Sequence, residues 1–304
     1  MYNFARYIFL VVFFCAGTLV SCAEDDPLET KGAATQEKTP TDTTGTTGTK
    51  ETTAPSIEID EVDAPDVEVE YYGQMAAASS SALQGTTCIG DSIYQFYHGA
   101  DYGIYRFDDL ALLHADKAPL PEERKPHCWI VNHYITDAND TIIFYAGYTD
   151  NRIYHFFRKN DTALEFEQAF SFFPWKGRGA NYFVDYPKRE FYALYWDADK
   201  QYIRAYPFEG DLLETIGDLK VEYSMKNYVK TVQDVLFFDH YLYITYGAGT
   251  DFRGYVRVDL EDLNFYHVDL VDKTPYEEPE GFFEHNGELF WVTSSRKVFK
   301  IIEK

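Results

Sequence analysis

Five polar side chains recur at one place in a repeated pattern. Gln84, His127, Asn181, Gln233 and Glu280 each open a short apolar run, at intervals of 43, 54, 52 and 47 residues. Amides both donate and accept hydrogen bonds, an imidazole does either by tautomer, and a carboxyl accepts or, once protonated, donates. Trp175, Arg178 and Tyr276 lie in the segments leading into the third and fifth runs. If the fold gathers these groups at one rim, they make a concave mouth with convergent polar groups and aromatic walls, the usual form of a binding site. Tyr and Trp faces suit the apolar C–H faces of sugar rings, whose hydroxyls take amide and carboxylate partners. A structural use competes with this one, because polar groups at strand starts also bond buried backbone of the neighbouring segment. Asp101, Asp150, Asp199 and Asp251, at turns further along the units, are turn formers by the same logic.

Catalysis is less well provided for. Glycoside hydrolysis needs two carboxyl groups about 5–10 Å apart, and the five positions offer one, Glu280. Asp234 and Glu278 are neighbours in sequence, but strict alternation turns Asp234 away from Gln233. The nucleophile pattern Gly-x-Ser-x-Gly is absent. Glu280 with Asn181 and the glutamines would suit Ca²⁺, which takes oxygen ligands; no other cofactor is expected. The 304 residues carry 27 Lys+Arg against 50 Asp+Glu, a net charge of −23. Nucleic-acid binding needs clustered cations, so that class is excluded.

The elements that position these groups are strands. Each polar residue begins a short strand, followed by a tight turn and an aromatic-rich strand such as Ile93-Tyr94-Gln95-Phe96-Tyr97 or Phe191-Tyr192-Ala193-Leu194-Tyr195. Ile93, Ile142, Phe191, Leu242 and Leu289 anchor the second strands, 49, 49, 51 and 47 residues apart. Asn286-Gly287 is a strong hairpin turn, since both residues tolerate positive φ. Units of this length with room for four strands predict an all-β fold, a five-bladed β-propeller, with six blades or a two-sheet sandwich as alternatives. Blade starts fall near 84, 127, 181, 233 and 280. The last unit ends one strand short at Lys304, and the alternating apolar and acidic segment 56–72 is the expected closing strand.

The N-terminus reads as an address. Tyr7–Ala16 is a short apolar run, too short for the roughly 20 residues of a membrane span, and fits a secretory signal. The N-terminal segment ends Leu19-Val20-Ser21-Cys22, which resembles a bacterial lipobox; that resemblance implies cleavage after residue 21 and acylation of Cys22. The acidic Glu24-Asp25-Asp26 that follows resembles the surface-export signal of Bacteroides-type lipoproteins. The expectation is a lipid-anchored, surface-exposed outer-membrane protein: signal 1–21, Thr-rich flexible tether 22–55, propeller 56–304. Gln84-Gly85, Gln233-Asp234 and Glu278-Pro279-Glu280-Gly281 resemble blade starts in propellers of phage receptor-binding and teichoic-acid-related proteins and of Bacteroides-type surface lipoproteins. Blades two and three depart from that pattern, opening Pro126-His127-Cys128 and Gly179-Ala180-Asn181. The resemblance implies a ligand-binding module for a glycan or similar polar ligand, or a protein-interaction platform, and carries over no catalytic set. Cys88 and Cys128 fall on first strands of adjacent blades, where either a disulfide or two buried thiols fit.

Overall fold

The computed structural model describes residues 54–99, 101–118, 129–147, 153–160, 163–171, 181–196, 199–228, 232–247, 253–275 and 277–304, and the regular structure among them is all strand. The chain folds as a five-bladed β-propeller. From its first strand outward each blade pairs antiparallel in chain order, with segments from the N-terminus added at the outer edges of blades 3, 4 and 5. Blade 1 comprises Leu83–Ile89, Ser92–Tyr97, Asp101–Arg106 and Leu112–Lys117. Blade 2 comprises Trp129–Ile135, Thr141–Gly147, Ile153–Asn160 and Ala163–Ser171. Blade 3 has Asn181–Asp185, Glu190–Trp196, Lys200–Glu209 and Val221–Lys226, and blade 4 has Val232–Phe238, Tyr241–Gly247, Arg253–Asp259 and Asn264–Asp269. Blade 5 takes Pro279–His285, Glu288–Thr293 and Lys297–Glu303 from the C-terminus.

The aromatic runs follow from burial on both faces of each blade. Along the second strand of blade 1, Ile93 and Tyr97 pack toward blade 5, whereas Tyr94 and Phe96 pack toward blade 2. In blade 2, Ile142 and Phe144 join the core shared with blade 3, while Ile143 and Tyr145 join the one shared with blade 1. Blade 3 repeats this with Phe191 and Ala193 on one side and Tyr192 and Leu194 on the other. A strand with two buried faces reads as a continuous apolar run rather than a polar alternation. Each fully buried large side chain contributes about 1.5–3 kcal/mol, so the cores between blades hold the ring together.

Val67–Gln74 supplies the fourth strand of blade 5, antiparallel to Lys297–Glu303. The segment ahead of it forms no single strand. Ser56–Glu58 adds in parallel to the edge of blade 3, and Asp60–Glu61 adds in parallel to the edge of blade 4. Ile59 marks the crossing: its N–H donates to Ser224 and its side chain is buried between those two blades. Pro65, which has no N–H to donate, precedes the step onto blade 5.

Candidate functional site

The first strands of blades 1, 4 and 5 each contain one extra residue. Pairing steps from Leu83 to Gly85 against Tyr97 to Phe96, from Val232 to Asp234 against Tyr246 to Thr245, and from Pro279 to Gly281 against Thr293 to Val292. The extra residues are Gln84, Gln233 and Glu280. A bulge of this kind re-aims side chains and resets the two-residue period. The described first strands of blades 2 and 3 pair without such a shift, and these are the two blades whose opening sequences differ. The residue after the bulge is Gly in blades 1 and 5. At Gly281 a Cβ would lie 2.6 Å from the Cβ of Thr86, so blade 1 packs where a side chain would stand.

In blade 4 that residue is Asp234, and its carboxyl plugs the channel. It is fully buried, accepting from Val235 N at 2.9 Å and from Phe282 N at 3.0 Å. The N–H groups of Thr86 and Val131 bond it as well, so donors from blades 1, 2, 4 and 5 meet on one side chain. Burial raises its pKa well above the carboxylate range, against the pull of these four donors, which favour the anion. Beside it, Asn132 Nδ2 donates to Val235 O at 2.8 Å and ties blade 2 to blade 4, which are not neighbours in the ring. The bulge resets the two-residue period ahead of Asp234, whose carboxyl reaches backbone N–H groups of neighbouring inner strands.

On the side where the first strands begin, three carboxyl groups and an amide share one neighbourhood. Gln233 Nε2 donates to Gly247 O and to Glu278 Oε1, the latter at 3.1 Å. Glu280 is only 7% exposed and makes no hydrogen bond among the described residues. Burial, followed by the charges of Glu278 and Asp234, pushes its pKa well above the usual value. Glu278 is raised by burial too, with Gln233 pulling it back. Gln84 is buried and donates to Leu83 O, and Asn181 is buried at the start of blade 3. His127, Trp175, Arg178, Tyr276 and Cys22 lie outside the described residues, as does Cys128. Arg253 is buried, donating to Thr274 Oγ1, Thr274 O and Val271 O, which holds the loop entering blade 5. Among the described residues no group of three or more His, Cys, Asp or Glu side chains is arranged to hold a metal ion.

The opposite end of the first strands opens into a pocket of about 360 Å³, formed by blades 1, 2, 4 and 5. His133 bonds Thr87 Oγ1 through Nδ1 at 2.8 Å, and burial, with the Lys159 charge adding to it, lowers its pKa to about 4. His285 stacks on Phe107 with ring centroids 3.6 Å apart. Its Nδ1 lies 3.1 Å from Gly90 O and so carries the proton; Asn286 Nδ2 approaches Nε2 at 2.8 Å. Cys88 is a buried free thiol that donates to the same carbonyl at 3.3 Å, its pKa pushed up to about 12, chiefly by burial. A thiol so placed is a packing group rather than a nucleophile. Sequence reasoning passed over this mouth. The available signal was Asn132-His133, two polar residues inside a first strand otherwise built from apolar ones.

No family model matches the chain, and no curated protein does. Solved structures do match in fold. The crystal structure of Myxococcus xanthus glutaminyl cyclase is similar with a TM-score of 0.51 at 7% identity, over 79% of this chain and 98% of that one. Virginiamycin B lyase from Staphylococcus aureus gives 0.38 at 10% identity, over 79% and 100%. The RRP9 WD40 repeats give 0.43 at 8%, over 78% and 80%. At such identities the likeness is one of fold.

Proposed function

We propose that this protein is a ligand-binding module, lipid-anchored through Cys22 and exposed at the outer-membrane surface, that takes a glycan or similar polar ligand at the mouth where the first strands begin. The observation that carries the reading is Glu280. Its carboxyl is 7% exposed, and burial disfavours its charged form, so a polar ligand group that satisfies it adds binding energy at this mouth. A sugar hydroxyl can donate to its carboxylate or accept from its carboxyl form. Gln233 and Glu278 supply further contacts, with His127, Asn181, Arg178, Trp175 and Tyr276 as the remaining candidates. Ca²⁺ bridging Glu280 to the ligand is part of the same proposal. The test is calorimetry of the full chain against soluble polysaccharides and host glycans, with and without Ca²⁺. A saturable heat that disappears in Glu280→Ala, at unchanged melting temperature, supports the reading, and a flat trace across the panel overturns it. Heat that continues after saturation would mean turnover and a hydrolase or lyase.

A protein-interaction platform is the second reading. Tyr71, 60% exposed, with Tyr72, Leu112 and Leu113 puts exposed apolar side chains on the outer strands of neighbouring blades 5 and 1. Binding of a surface protein that is lost in Tyr71→Ser/Leu113→Ser would favour it.

A further inference from the structure

The pocket at the far mouth plays no part in the reading above, and its walls are selective. Its volume of about 360 Å³ is enough to enclose a small organic molecule. The charged groups in its wall are the carboxylates Asp239 and Glu284, and no Lys or Arg is among its described lining residues. Lys159 is felt electrostatically by His133 and Cys88 but does not line the pocket. The other polar groups are the Thr87 hydroxyl, the Cys88 thiol, the Asn286 amide and the imidazoles of His285 and His133, the last of which burial keeps neutral at physiological pH. Phe237, Phe238 and Phe283 contribute aromatic surface, and Phe238 is 37% exposed.

An anion entering here meets two carboxylates and no lysine or arginine among the described lining residues, on a chain whose net charge is −23. A neutral sugar gains nothing from those charges. An ammonium group gains from both carboxylates and from the negative faces of the rings. It also selects the tautomer in which His133 Nδ1 donates to Thr87, leaving Nε2 as an acceptor. We infer that this mouth binds a small organic cation, a protonated or quaternary amine, through Asp239, Glu284, the Phe238 ring and the Thr87–His133 pair.

Calorimetry of the full chain at low salt tests the inference, with ethanolamine and choline as probes and acetamide and acetate as neutral and anionic controls. The amines are expected to give a saturable 1:1 heat that weakens as salt rises, and acetate none. The double variant Asp239→Asn/Glu284→Gln should weaken amine binding by about tenfold or more, equal to about 1.4 kcal/mol. It should melt like the wild type. Asn tolerates the positive φ of residue 239, and a Gln carbonyl can accept the Gly287 N–H that Glu284 now accepts. Wild-type amine affinity in the double variant overturns the inference. Saturable binding of acetamide or acetate in place of the amines overturns it too.

Discussion

Replacing Asp234 with Ala takes away an acceptor shared by four inner strands. Val235 N and Phe282 N reach its two oxygens at 2.9 and 3.0 Å, and the Thr86 and Val131 N–H groups complete the set. Each buried donor left without a partner costs about 1–3 kcal/mol. Water entering the vacated space offsets part of this, so the low end, about 4 kcal/mol in all, is the expected loss. For a chain of this size, a loss of that order lowers the melting temperature by about 8–16 °C. Asp234→Asn keeps one acceptor oxygen but turns an NH₂ toward the other donors, so it falls between the Ala variant and the wild type. Asp234→Leu fills the volume and accepts nothing, which separates bonding from packing. Differential scanning calorimetry of the full chain reads all three. If Leu melts at or above the wild type, the four N–H groups do not depend on this carboxyl, and the account of a plugged and tied channel is wrong.

Gly281→Ala forces a Cβ against Thr86, and overpacking of that kind should cost about 1–3 kcal/mol; an unchanged urea midpoint would contradict the close approach of blades 5 and 1. Deleting residues 23–75 removes the fourth strand of blade 5 together with the buried Ile59, Val67 and Met75, so the melting temperature should fall by many degrees, whereas deleting 23–53 leaves all five sheets complete. Equal melting of the two truncations would refute closure by this strand. Glu280, raised by burial and by the charges of Glu278 and Asp234, binds its proton more tightly in the folded state than in the unfolded one. Its contribution is full below the ordinary glutamate value of 4.5 and is lost as pH rises through the folded value. The wild type should therefore melt higher at pH 5 than at pH 8. Glu280→Gln should flatten that slope, and a slope unchanged in the variant would show that the carboxyl is not the titrating group.

What was legible in the sequence, and what was not, divides along one physical line. The second strands could be read because their chemistry is local: both faces of every blade are buried, so Ile93 to Tyr97 and Phe191 to Tyr195 are apolar almost throughout, and the unit length sets their spacing. The blade-start motif was visible for the same reason, since Gln-Gly, Gln-Asp and Glu-Gly sit where an extra residue enters the pairing. Its meaning was not visible. Alternation is a property of one strand, whereas the direction of Asp234 is decided by a bulge and by N–H groups of three other blades. The split of the N-terminal segment over blades 3, 4 and 5 was hidden likewise, because a parallel edge addition needs only a free edge and leaves no pattern of its own. The far mouth falls under the same rule: Thr87, His133, Asp239 and Glu284 come from four separate blades, and each reads in isolation as an ordinary strand or turn residue. A ring fold builds its mouths from one short stretch of every blade. The repeat thus predicts where sites can be, and the departures from it, Asp234 in place of Gly and His133 within an apolar strand, mark where the chemistry is.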